Sequence, residues 1–138
     1  MQTLSTFDVI KEPLHDLLQD VTTGKIQLID FQRSWCWDEP RVKKIIASVS
    51  LGFPIGSIMI LRQGNSNVNF KYRPVEGVSK NNLHSPVGLL TDGQQRITSL
   101  WMNLLSDQPV LIDRGKRYSP DKKYFYLDIE ARCSTPYR

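Results

Sequence analysis

Three stripes of apolar residues at helical spacing, separated by short apolar runs, constrain this chain more than any other feature. Leu14, Leu17, Leu18 and Val21 recur at i, i+3, i+4 and i+7, which puts one face of an amphipathic helix against a core. Pro13 suits the first turn of that helix and Gly24 suits its end. Val42, Ile45, Ile46 and Val49 repeat the stripe. Asp38, Glu39 and Pro40 mark the start of this second helix, because acids and proline belong in a first turn. Gly52 and Pro54 stop it. Arg41, Lys43 and Lys44 lie between the stripe positions and are expected to face water. Ile97, Leu100, Trp101 and Leu104 form the third stripe, with Pro109 as its limit.

The intervening runs read as strands. Residues 26–31 (Ile-Gln-Leu-Ile-Asp-Phe) are short, apolar and rich in β-branched side chains. Residues 56–62 contain Ile58-Met59-Ile60-Leu61. A turn at Gly64-Asn65-Ser66-Asn67 is followed by partial alternation of Val68, Phe70 and Tyr72, which predicts a hairpin between residues 56–62 and 68–75. Residues 77–86 form a polar loop, and residues 87–91 form an apolar strand that runs directly into Asp92-Gly93. Residues 114–123 are basic and turn-rich, residues 124–129 alternate as a last strand, and residues 131–138 show no element. Helix, strand, helix, hairpin, strand, helix, strand is the order of an α/β (α+β) domain with a mixed sheet. A length of 138 residues suits one domain.

A formal charge of +4 permits an anionic partner without demanding one. Cys36 and Cys133 have no metal-ligand spacing around them, so zinc is not expected. The first residues lack a basic segment followed by an apolar run, and no stretch reaches the length of a membrane span. A cytoplasmic protein with two free thiols is the expectation.

Asp92-Gly93-Gln94-Gln95-Arg96 stands out because it lies at a strand-to-helix junction. A helix start offers unpaired N–H groups and a positive dipole end, both favourable to phosphate. Gly93 admits close approach of a ligand, or a backbone conformation that other residues resist. Arg96 can bind phosphate oxygens in pairs. Asp92 can act as a base or hold a metal-bound water. Gln94 and Gln95 can orient water or a base edge. A plainer reading stands beside this one. Asp92 and Gln95 have capping-box spacing, and on spacing alone a well-capped helix is favoured over a site.

Gln32 and Arg33 interrupt an apolar run just before Trp35 and Trp37. Arginine beside aromatic rings suits phosphate and a stacked base; tryptophans packed in the core are the alternative. Glu76, in Arg73-Pro74-Val75-Glu76-Gly77, is a candidate second metal carboxylate or a solvated hairpin end. Arg114, Lys116, Arg117, Lys122 and Lys123 are candidates for nucleic-acid contact, or a solvated loop. His15 and His84 have no partner spacing that suggests a catalytic pair.

Taken in order, Ile-Gln-Leu-Ile-Asp-Phe-Gln-Arg-Ser-Trp-Cys-Trp at 26–37, Gly-Phe-Pro-Ile-Gly-Ser at 52–57 and Leu-Thr-Asp-Gly-Gln-Gln-Arg-Ile-Thr-Ser-Leu at 90–100 resemble a known family. It is domain of unknown function family 262, the DGQQR-motif N-terminal domain of GmrSD-type, modification-dependent (Type IV) restriction enzymes and related phage-defence proteins. The likeness runs from about residue 7 to residue 105, leaving 106–138 as basic loop, strand and tail. It implies a fold like the ParB/sulfiredoxin superfamily. It also implies nucleoside-triphosphate binding and hydrolysis at the DGQQR segment, coupled to DNA restriction. On that resemblance Asp92, Gln95 and Arg96 are the expected catalytic residues. Gly93, Gln94, Arg96, Gln32 and Arg33 are expected to bind nucleotide, and Trp35 and Trp37 to stack a base. Arg117 and Lys122 lie outside the likeness and are candidates for nucleic-acid contact on charge alone, with a solvated loop as the alternative; Asp92 is the candidate to hold magnesium. Family members often carry proline where Ile29 stands, a local backbone difference. A C-terminal HNH-type nuclease domain is usual in the family. It is expected to be absent from these residues and supplied, if at all, by a further domain or subunit.

Overall fold

Leu28 and Leu90 lie opposite each other on two parallel strands, both fully buried. These strands, β1 (Ile26–Ile29) and β4 (Gly88–Asp92), form the centre of a four-stranded sheet in the order β2-β4-β1-β3. Its edges are β2 (Met59–Arg62), antiparallel to β4, and β3 (Tyr72–Arg73), antiparallel to β1. A separate two-stranded ribbon joins β5 (Val110–Ile112) to β6 (Asp121–Lys123). The helices are α1 (Leu14–Thr23), α2 (Glu39–Ser50) and α3 (Gln94–Leu104). The computed structural model describes residues 8–64 and 69–130. The turn expected at 65–67, the expected strand start at Val68, the tail 131–138 and Cys133 lie outside the described residues.

The result is a mixed α+β domain, as the alternation of periods requires. Leu17, Leu18 and Val21 of α1, Val42 and Ile45 of α2, and Ile97 and Leu100 of α3 form one buried cluster with Ile26, Leu28 and Leu90. The helices therefore cover the sheet face to which those three strand residues point. The start of α2 shows how its sequence works: Asp38 accepts a hydrogen bond from the Arg41 N–H (3.2 Å), and Pro40 sits in the first turn. Among the described residues no helix is long and apolar enough to cross a membrane.

The expected hairpin does not form. Residues 59–62 pair with β4, and residues 72–73 cross to the opposite edge beside β1. Partial alternation identifies an extended segment but not its partner. A connection longer than a tight turn leaves that choice to burial, and the fully buried Leu89 and Leu90 take the centre. The last strand also differs. Asp121–Lys123 pairs with Val110–Ile112, whose Val110 and Ile112 are buried, whereas residues 124–128 form no strand. There Phe125 packs on the core while Tyr124 and Tyr126 are exposed, so the alternation marks an extended segment laid on the surface.

Glu39 ties the ribbon to the start of α2. It receives Lys43 at 2.6 Å and Lys123 from β6. Hydrogen bonds from Lys123 and then Lys43 lower its pKa from 4.5 to about 2. A carboxyl whose pKa falls on folding adds stability that is complete above its ordinary value and is lost as pH drops through the folded value. Glu39→Gln is therefore expected to be less stable than wild type near neutrality, with the gap closing as pH falls from 4.5 towards about 2. Urea unfolding at stepped pH checks this; a gap independent of pH contradicts it.

Candidate functional site

β4 ends at Asp92, the chain turns at Gly93, and α3 begins at Gln94. Gly93 has φ +87°, and a Cβ there would fall 2.4 Å from Ile58 Cδ1. Backbone conformation and space both require glycine. The turn also undoes the expected capping box. Asp92 closes the strand, Gly93 occupies the N-cap position, and no side chain caps the helix. The first N–H groups of α3 thus have no capping side chain, and a helix start leaves such groups without intrahelical partners.

The two glutamines turn instead to the loop after β1. Gln95 is buried and uses both ends of its amide: Oε1 accepts from the Cys36 N–H (3.0 Å), and Nε2 donates to the Ser34 carbonyl (3.1 Å). Gln94 Nε2 donates to the Arg33 carbonyl. In return Gln32 Nε2 donates to the Thr91 carbonyl at 3.0 Å. Arg73 of β3 braces the loop from behind, donating to the carbonyls of Gln32 (3.1 Å) and Arg33 (3.3 Å). Arg73 is itself held by Glu76 at 2.9 Å. The two segments singled out in the sequence are thus one hydrogen-bonded unit.

This unit and α2 enclose a cleft of about 540 Å³. Its lining includes Gln32, Arg33, Trp37 and every residue from Asp92 to Arg96. It also includes Arg41, Lys44 and Ser48 of α2; Arg41 and Lys44 are exposed, as expected, and the face they stand on borders the cleft. Four cations, Arg33, Arg41, Lys44 and Arg96, face a single carboxylate, Asp92. Arg96 is fixed by its donation to the Ile55 carbonyl (2.8 Å) and to Asp92 Oδ2 (3.1 Å). A guanidinium has five N–H donors, so others stay available. Gly56, at φ +91°, makes room for it: a Cβ there would lie 2.4 Å from Arg96 Nη1.

Other candidates sit elsewhere. Trp35 is 5.9 Å from Trp37 between ring centroids but does not line the cleft. Its indole N–H donates to the Leu111 carbonyl and its ring packs on the core. Glu76 is neither a solvated hairpin end nor a partner for Asp92. It is half-buried, held by Arg73 and by the Trp35 N–H (3.0 Å), outside the cleft lining. Arg117 and Lys122 are exposed on and beside the ribbon, away from the cleft lining. Of their basic neighbours, Lys123 pairs with Glu39 and Arg114 with Asp121. His15 and His84 are exposed and do not line the cleft. Among the described residues no three His, Cys, Asp or Glu side chains group as a metal site. The signal for the α2 wall was present in the sequence: Arg41, Lys44 and Ser48 fall at i, i+3 and i+7, a single helix face.

The sequence profile of the GmrSD restriction endonuclease N-terminal domain matches residues 14–135. The chain belongs to this family. An uncharacterized protein of Methanocaldococcus jannaschii is 30% identical to this GmrSD-type domain over 120 residues. The alignment covers 84% of the chain but only 20% of that relative, so the chain spans about one fifth of the relative's length. No solved structure matches the chain.

In this GmrSD-type domain the Gln95 amide is the joint between motif and loop. Gln95→Leu removes two part-buried hydrogen bonds, to the Ser34 carbonyl and from the Cys36 N–H, each worth about 0.5–1.5 kcal/mol. A lower urea midpoint is the expected result; an unchanged midpoint contradicts the assignment.

Proposed function

We propose that the cleft binds a nucleoside triphosphate and hydrolyses it, and that the domain thereby regulates a modification-dependent DNA restriction or phage-defence system. One observation carries the reading: four cationic side chains meet a side-chain-uncapped helix start around one cleft. Its volume lies within the range of small-molecule sites. Membership of the GmrSD N-terminal family supports the link to restriction.

Phosphate oxygens would take the backbone N–H groups of Gln94 to Arg96, the remaining donors of Arg96, and Arg33. Trp37, which lines the cleft, would stack the base; Trp35 has no such place. Asp92 Oδ2 is engaged by Arg96, which leaves Oδ1 to take a proton from water. Gln95 has both ends of its amide engaged by the loop and Gln94 its Nε2, so we assign them first the positioning of the cleft wall. Gln32 shares that part through Thr91. Magnesium typically binds through one or two carboxylates together with substrate phosphates. One carboxylate, Asp92, lines the cleft, so the donor set fits a metal that arrives with the triphosphate. Bound there, magnesium would neutralise phosphate charge.

A second reading, a DNA-binding or modification-sensing module without catalysis, draws on the exposed Arg117 and Lys122. The two surfaces are separate, so DNA contact at the ribbon and nucleotide in the cleft are compatible. A nuclease domain or subunit would be the partner that cuts.

Phosphate release from each triphosphate, with and without magnesium, tests the reading. Asp92→Ala is expected to lower release by about 100-fold or more, as for loss of a general base, while nucleotide still binds. Release that is absent in wild type, or equal in the variant, contradicts hydrolysis at this site. A salt-dependent DNA shift that survives Arg96→Ala but is lost on changing Arg117 and Lys122 would assign DNA to the ribbon.

A further inference from the structure

The cations of α2 are divided between two faces. Lys43 lies 2.6 Å from Glu39, which also receives Lys123, so that face is neutralised within the protein. Arg41 and Lys44 lie on the face that lines the cleft. Lys44 is exposed and has no ion-pair partner among the described residues. Among the described residues Arg41 pairs only with Asp38, at 3.9 Å, with both side chains half-exposed or more, a weak pair. Ser48, one turn on, donates its hydroxyl back to the Lys44 carbonyl (2.9 Å) and leaves the end of the row open.

Across the cleft, Arg96 is already compensated by Asp92, while the start of α3 offers its N–H groups. A phosphate at the start of α3 finds its N–H donors on that wall. The charge left over is on Arg33 of the loop and on Arg41 and Lys44 of α2, and the α2 pair stands on a different element from α3. A ligand with several linked anionic groups suits a cleft whose donors are divided between two walls.

We infer that Arg41 and Lys44 form a second anion subsite, which takes the distal phosphates of a polyphosphate whose first phosphate sits at the start of α3. The α2 wall would thus select by phosphate-chain length: triphosphate over diphosphate, and diphosphate over monophosphate. The inference rests on the phosphate-site reading above but not on the nucleoside, the base or hydrolysis.

Calorimetric titration of the whole 138-residue chain with inorganic tripolyphosphate, pyrophosphate and orthophosphate at fixed low salt tests it. Wild type is expected to bind tripolyphosphate about tenfold or more tightly than orthophosphate, the scale of a charge-assisted hydrogen bond. Lys44→Ala should erase most of that preference, weakening tripolyphosphate far more than orthophosphate. Lys44→Arg should restore it. Lys43→Ala removes the same net charge from the neutralised face and should leave the preference intact. Thermal unfolding of each variant establishes that it is folded; Lys44 is exposed, so its loss opens no cavity.

Equal effects of Lys43→Ala and Lys44→Ala would mean general electrostatics, and overturn the subsite. So would absence of tripolyphosphate binding, or dependence on Lys44 seen only with a DNA duplex. Tripolyphosphate binding that depends on Lys44, with no binding of nucleoside triphosphates, would support the subsite and sink the nucleotide reading. Nucleotide hydrolysis with no effect of Lys44→Ala on chain-length preference would do the reverse.

Discussion

The amide of Gln95 joins the parts on which the cleft depends. It is buried on the second residue of α3, yet it serves the loop after β1 with one accepted and one donated hydrogen bond. Loop backbone far from any ladder must find partners somewhere. Here the partners are side chains of the next motif, 59 and 61 residues along the chain. Gln94 and Gln32 add bonds in each direction, and Arg73 closes the loop from the sheet edge. The loop is thereby held as one wall of a site, although it carries no regular structure of its own between Gln32 and Asp38.

Once that wall is fixed, the electrostatics follow from few residues. Gly93 and Gly56 let the Arg96 guanidinium lie against backbone, where Ile55 and Asp92 hold it. One acid is matched by one base, and the remaining cations come from the loop and from α2. A cleft built this way favours anions without needing a strongly basic protein, which agrees with a formal charge of only +4.

Much of this was legible in the sequence. The three stripes placed α1, α2 and α3 because a helix with one buried face must repeat its apolar residues at that period. The strand runs were legible as extended segments, but their partners were not. Tyr72 and Arg73 could alternate equally well beside β2 or beside β1, and only packing against the buried centre decides. The site was legible as two motifs in order. Their physical link was not, because nothing in the spacing shows that the Arg33 and Ser34 carbonyls and the Cys36 N–H come within reach of Gln94 and Gln95. Arg41 and Lys44 were missed for a different reason. Charged positions between stripe residues ordinarily face water, and here that face of α2 borders the cleft. Asp92 was legible as a helix-start acid, but the left-handed Gly93 moves it one place back onto the strand.

The central claim is that the loop, the α3 start and the α2 face form one phosphate-binding cleft. A crystal structure of the chain with a non-hydrolysable triphosphate and magnesium tests it most directly. The account predicts phosphate density within hydrogen-bond distance of the backbone N–H groups at Gln94 to Arg96, extending towards Lys44. Density confined to the ribbon beside Arg117 and Lys122, or a cleft that stays empty at saturating ligand, would contradict it.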